Sequence, residues 1–176
     1  CDSFLTPENK TAGGQSAEKY FSEDASTLRV YAYSLLKPVA ARVDVYEEGV
    51  DLYMPSNKKT GTDFDQYTIT PENTDVKSLY SDLYACVNMA NATIFYDKDG
   101  KYKAEMVFVR SYCYYILSQE FGGVPYSSTY INGSERNYPR TELSEFYKSL
   151  ISDLTAIADD ASLAAENTTG VASQRA

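Results

Sequence analysis

The nineteen residues from Lys103 to Phe121 constrain the fold more than any other part of the chain. Met106, Val107, Phe108, Val109, Tyr112, Cys113, Tyr114, Tyr115, Ile116 and Leu117 surround a helix here almost completely. A helix that is apolar on every side must be buried among other elements. The rest of the chain therefore has to supply partners for it, and three further helical patterns do so.

The first begins near Ser22, with Leu28, Tyr31, Ala32, Leu35, Leu36 and Val39 at three- and four-residue steps. Pro38 predicts an end or kink near Lys37. The second runs from about Asp75 to Tyr96 on Val76, Leu79, Tyr80, Leu83, Tyr84, Val87, Ala90 and Ile94. The helix at 103–121 is the third, stopped by Gly122-Gly123. The fourth is expected from Thr141, a good capping residue, on Leu143, Phe146, Tyr147, Leu150, Ile151, Leu154, Ile157 and Ala158. Four helices without a convincing strand predict an all-α fold of antiparallel helix pairs.

Two long loops interrupt the helices. Residues 41–73 carry no helical period and hold Tyr46, Tyr53, Phe64 and Tyr67 between glycines and prolines. A stretch of that length inside a compact domain is often functional. Residues 124–140 carry Tyr126, Tyr130 and Tyr138. The segment from Asp2 to Ser16 has no sustained period and reads as an extended arm. No initiator Met or signal peptide precedes Cys1, so the chain is read as processed or cut. Residues 1–21 are thus expected to be a tether and 22–176 a helical region.

Composition narrows the chemistry. Sixteen basic against 25 acidic residues give a net charge of −9. Such a surface repels phosphate backbones, so nucleic acid is not expected as a partner. There is no histidine. That removes the common Ser-His-Asp and Cys-His arrangements and all histidine metal sites. Three cysteines, Cys1, Cys86 and Cys113, cannot form a Cys₄ zinc site. Asp97-Lys98-Asp99-Gly100 lacks the spacing of a calcium loop and reads as a turn. No metal or cofactor is expected.

Other candidates are weighed against ordinary structural roles. Asp63 and Asp65 form a carboxylate pair of the kind glycosidases use, but two loop acids are more commonly solvated charges. Cys86 and Cys113 lie among apolar residues and read as buried thiols, with a helix-to-helix disulfide as the alternative. Arg110 sits in the most apolar helix and needs an anionic partner, for which Glu105, Asp82 and Asp153 are candidates. Asn-x-Ser/Thr at Asn9, Asn91, Asn132 and Asn167 is read as chance. Seventeen tyrosines and no tryptophan divide into two sets. Tyr80, Tyr84, Tyr114, Tyr115 and Tyr147 fall on helix stripes and are expected in the core. Tyr46, Tyr53, Tyr67, Tyr126 and Tyr130 fall in loops, where a ring can stack on a ligand.

The order of these motifs resembles the N-terminal part of the SusD/RagB family of surface nutrient-binding lipoproteins of Bacteroidetes. Cys1 with Phe4-Leu5 and Pro7 resembles the mature lipoprotein start, and Tyr20-Phe21 with the Leu28 helix resembles the first helix. Glu47-Glu48-Gly49-Val50-Asp51 is similar to the family's acidic-Gly-x-Asp segment. Leu79-Tyr80, Leu83-Tyr84 and Asn91 resemble its next helix. The most specific stretch is Ala104-Glu105, Phe108, Arg110, Tyr114, Leu117 and Phe121-Gly122-Gly123-Val124-Pro125. Arg140, Tyr147, Ile151 and Asp153-Leu154 resemble the helix that follows.

The resemblance implies tetratricopeptide-like helix pairs with long loop insertions, and a lipid on Cys1 anchoring the protein to the outer membrane at the cell surface. It implies a SusC-like TonB-dependent transporter as partner, with oligosaccharide, or in some members peptide, captured and passed inward without catalysis. Tyr53, Phe64, Asp65, Tyr67, Tyr126 and Tyr130 are the expected ligand contacts. Arg110, Glu105, Asp51 and Asn91 are expected to be structural. Starch-binding relatives carry tryptophans after the acidic segment, whereas Leu52 to Lys59 contains none. A scaffold that only docks the transporter is the remaining alternative.

Overall fold

The computed structural model describes residues 17–50, 63–133 and 137–166. Among these residues six helices follow one another: α1 (Ala17–Glu23), α2 (Ser26–Ala40), α3 (Val43–Tyr46), α4 (Thr74–Tyr96), α5 (Lys103–Phe121) and α6 (Leu143–Ile157). The all-α expectation holds. α4 and α5 form an antiparallel pair, α2 lies across α4, and α6 packs on the far side of α5. Cys1, Asp51 and Tyr53 fall outside the described residues.

α5 is the centre, as its apolar sequence requires. Met106, Val109, Cys113, Tyr114 and Leu117 are fully buried, and they meet Leu79, Leu83, Cys86 and Ala90 of α4. Burial is not complete around α5, however. Tyr112 is 38% and Tyr115 50% exposed, so Tyr115 is not a core residue. α2, α4 and α6 cover α5 on three sides and leave this strip open. Tyr31, read as part of the α2 stripe, is likewise half exposed.

The helix ends follow local chemistry. The first pattern is split rather than continuous, with Asp24 at the break accepting the Ser26 backbone N–H at 2.9 Å. α1 begins at Ala17, so the last residues of the expected tether are helical. α2 continues through Pro38 to Ala40 instead of ending at Lys37. Proline removes the hydrogen bond to the Ser34 carbonyl, but Ser34 and Pro38 both face solvent, where water can replace it. α4 starts on Asn73, whose side-chain oxygen accepts from Asp75 N at 2.9 Å and Val76 N at 3.1 Å. α5 ends on Gly122, whose φ of 71° is left-handed. α6 starts at Leu143 and not at Thr141. The Thr141 N–H instead bonds the Val124 carbonyl at 3.2 Å, which ties the start of α6 to the end of α5.

Candidate functional site

Two polar networks tie the helices together, and one of them also holds the loop after α5. Arg110 is only 4% exposed. Its guanidinium meets Asp153 of α6 at 2.6 Å, Asn91 of α4 at 2.8 Å and the Ser128 carbonyl at 3.1 Å. Of the three candidate partners, then, Asp153 is the one used. Asn91 also donates to the carbonyls of Ser127 and Thr129. One buried cation therefore joins three elements, α4, α5 and α6, to the loop that follows α5. Glu105 belongs elsewhere. It accepts a two-pronged pair from Arg29 of α2 at 2.5 and 2.8 Å and a bond from the Tyr33 hydroxyl at 2.6 Å. The carboxylate raises the pKa of Arg29 by hydrogen bonding.

The loop tyrosines separate according to what they touch. Tyr126 is half-buried. Its ring stacks on Tyr114 at 4.6 Å between centroids, and its hydroxyl bonds Asp153. Burial, followed by the Asp153 hydrogen bond, pushes its pKa well up. Both the face and the tip of Tyr126 are engaged inside the molecule. Tyr130 packs against Phe95 and Tyr96 at 5.8 and 6.0 Å. Tyr46 donates to the Val39 carbonyl at 3.1 Å, and burial lifts its pKa to about 12.

Phe64 and Tyr67 behave differently. They line one cleft of about 330 Å³, with Gly49, Ile69, Glu120 and Phe121 around them. Phe64 is buried at its floor. Tyr67 is 79% exposed at its edge. Tyr67 has a φ of 55°, the left-handed region that a tyrosine rarely adopts. Its hydroxyl bonds the Gly49 carbonyl, so the acidic-Gly segment and the aromatic turn hold each other. Gly49 is needed there, since a Cβ on it would lie 3.0 Å from the Phe64 carbonyl oxygen. Burial raises the pKa of Glu120 at this cleft. Asp65 lies on the same turn, between the two aromatic residues. Asp63 of the carboxylate pair accepts from Thr68 Oγ1 at 3.3 Å and Asn73 Nδ2 at 3.0 Å, which ties the turn to the start of α4.

A larger cleft of about 490 Å³, not foreseen from sequence, lies between α4 and the loop after α5. Tyr80, Tyr84 and Asn88 form one wall, and Pro125, Ile131 and Tyr138 the other. The four-residue spacing of Tyr80, Tyr84 and Asn88 was the available signal. Its polar groups are mostly satisfied internally. Asn88 exchanges two bonds with Ile131 at 3.1 and 2.9 Å, and Tyr84 donates to the Pro125 carbonyl at 2.7 Å. Among the described residues no cluster of side chains could hold a metal ion, and no helix is long and apolar enough to cross a membrane.

Antiparallel helices joined by buried ion pairs, with aromatic residues in the connecting loops, define an all-α helix-pair fold. Residues 26–174 match the SusD-like family model described as starch-binding and associating with the outer membrane. The chain belongs to that SusD-like family. Three solved structures share the fold. A SusD superfamily protein from Parabacteroides distasonis is 25% identical, with a TM-score of 0.56 over 63% of this chain and 26% of that one. A SusD-like carbohydrate-binding protein from Bacteroides fragilis is 19% identical, with a TM-score of 0.64 over 88% of this chain and 36% of that one. A SusD-like protein from the same species is 16% identical, with a TM-score of 0.65 over 96% of this chain and 35% of that one. The chain thus spans roughly a quarter to a third of the length of these structures. No curated protein matches it.

Proposed function

We propose that this chain is the N-terminal helical part of a cell-surface nutrient-binding lipoprotein that captures oligosaccharide and hands it to a SusC-like TonB-dependent outer-membrane transporter. The observation that carries the reading is the family match across residues 26–174. The lipid would sit on Cys1. Binding is noncovalent and no bond is made or broken.

The cleft between Phe64 and Tyr67 supports a ligand role for the aromatic turn. The exposed Tyr67 ring can stack on the apolar face of a sugar, while Asp65 and Tyr53 supply hydroxyl partners. Tyr126 and Tyr130 contribute by holding the loop in position. A site this shallow gives modest affinity, which capture against the transporter raises through effective concentration.

Calorimetric titration of the full-length protein with neutral oligosaccharides, and with peptides in parallel, tests the reading. Tyr67→Ala should weaken glycan binding by about two- to tenfold, as expected for one aromatic contact of 0.5–1.5 kcal/mol. Peptide binding without any glycan response would replace oligosaccharide by peptide. Glycan binding indifferent to Tyr67→Ala and Phe64→Ala would place the site elsewhere.

A further inference from the structure

Cys86 of α4 and Cys113 of α5 are fully buried free thiols in one apolar cluster. They face each other where α4 packs on α5, with Cys113 hydrogen-bonded to Cys86. The Cys86 thiol also donates to the Ala32 carbonyl at 3.4 Å, so α2 lies directly over the pair. Ala32 has no exposed surface, and the sulfurs are sealed once α2 packs.

We propose that Cys86 and Cys113 are a modification site, joined in the exported protein by a disulfide that staples α4 to α5. The family's association with the outer membrane places the chain in an oxidising compartment, where neighbouring thiols are normally joined. The oxidant is a disulfide-bearing protein of the cell envelope. One cysteine thiolate attacks the oxidant's disulfide, forming a mixed disulfide and releasing one oxidant thiolate. The second cysteine thiolate then attacks the mixed disulfide at the sulfur of its neighbour and releases the other oxidant thiolate. Two electrons and two protons pass to the oxidant, and one S–S bond replaces two S–H bonds.

The order of events follows from burial. In the folded chain hydrogen bonding to Cys86 and burial hold the Cys113 thiol up in its neutral form, which is a poor nucleophile. Oxidation must therefore precede the docking of α2. Once formed, the bond closes a loop of about 27 residues and restricts the unfolded chain.

The test is mass mapping of full-length protein isolated from the cell envelope, acid-quenched, denatured and alkylated before digestion. Trypsin leaves Cys86 in peptide 78–98 and Cys113 in peptide 111–136. The expected result is one species containing both peptides linked and unalkylated, which reductant separates into two alkylatable peptides. Reduction should lower Tm by about 5–10 °C, with the Cys86→Ala/Cys113→Ala variant indifferent to reductant. Full alkylation of both peptides without reductant would overturn the proposal. A linked species with unchanged Tm would overturn its stabilising role, and neither mass result depends on a variant folding.

Discussion

Replacing Asp153 by alanine probes the Arg110 junction most directly. Asp153 is the only anion that Arg110 meets at bonding distance among the described residues, at 2.6 Å. Its loss leaves a guanidinium whose side chain is 5% exposed with two neutral acceptors, Asn91 and the Ser128 carbonyl. Nε of Arg110 already lacks a partner. Breaking a buried pair from one side costs about 3–5 kcal/mol, because the remaining charge is uncompensated. Asp153 itself is 28% exposed, so water can follow the vacated carboxylate and the lower end applies. The Tyr126 hydroxyl loses its acceptor as well. Together these give about 3 kcal/mol, or a fall in Tm of roughly 6–12 °C for a chain of this size. Urea unfolding followed by circular dichroism is the assay, with the change expected in the midpoint and not in the slope. Asp153→Asn should recover part of the loss, since it keeps an acceptor without the charge. A cost below about 0.5 kcal/mol for Asp153→Ala would refute the argument that one buried cation holds the three elements together.

Three further changes test other parts of the frame. Gly123→Ala should cost about 1–3 kcal/mol in thermal unfolding, because its Cβ would meet the Thr141 carbonyl oxygen at 2.8 Å and backbone must move. Asn73→Ala should cost about 1 kcal/mol in the same measurement by removing the α4 cap. In an alkaline titration read by tyrosinate absorbance, Tyr46, Tyr84, Tyr114 and Tyr126 should stay neutral at pH 10. Burial lifts Tyr46 and Tyr114 to about 12 and the other two higher. Their folded-state values lie above the unfolded one, so the stability they contribute is complete below pH 10 and is lost as pH rises toward 12. Smooth ionisation of all 17 tyrosines near pH 10 without unfolding would contradict this placement.

The Arg110 junction also shows where sequence reading stops. A cation in the middle of a helix that is apolar on most sides announces that an anion must come to it, and that much is local chemistry. Glu105, Asp82 and Asp153 satisfy the requirement equally on paper. The choice depends on the rotation of α6 about α5, which no local pattern specifies. Glu105, five residues away on the same helix, instead faces α2 and pairs with Arg29.

The helices themselves were legible because their stripes are long and regular. α4 and α5 lie where periodicity puts them, and Gly122 ends α5 through its positive φ. The start of α6 was not legible, since Thr141 has the right side chain for a cap but its N–H is taken by Val124. On α6 the apolar arc is also wider than α5 can cover, leaving Leu143, Ile151 and Leu154 at 41%, 63% and 36% exposure. Periodicity reports which face is apolar, not how much of it finds a partner.

The tyrosines divide along the same line. Sequence alone determined that some fall on helix stripes and others in loops between the helices. A ring's hydrophobicity is the same wherever it goes, so composition could not assign them further. Tertiary structure decided that Tyr126 turns inward, because Tyr114 offers a face and Asp153 an acceptor within one side chain's reach. It left Tyr67 outward, because a left-handed backbone and the Gly49 carbonyl hold that ring at the edge of its cleft.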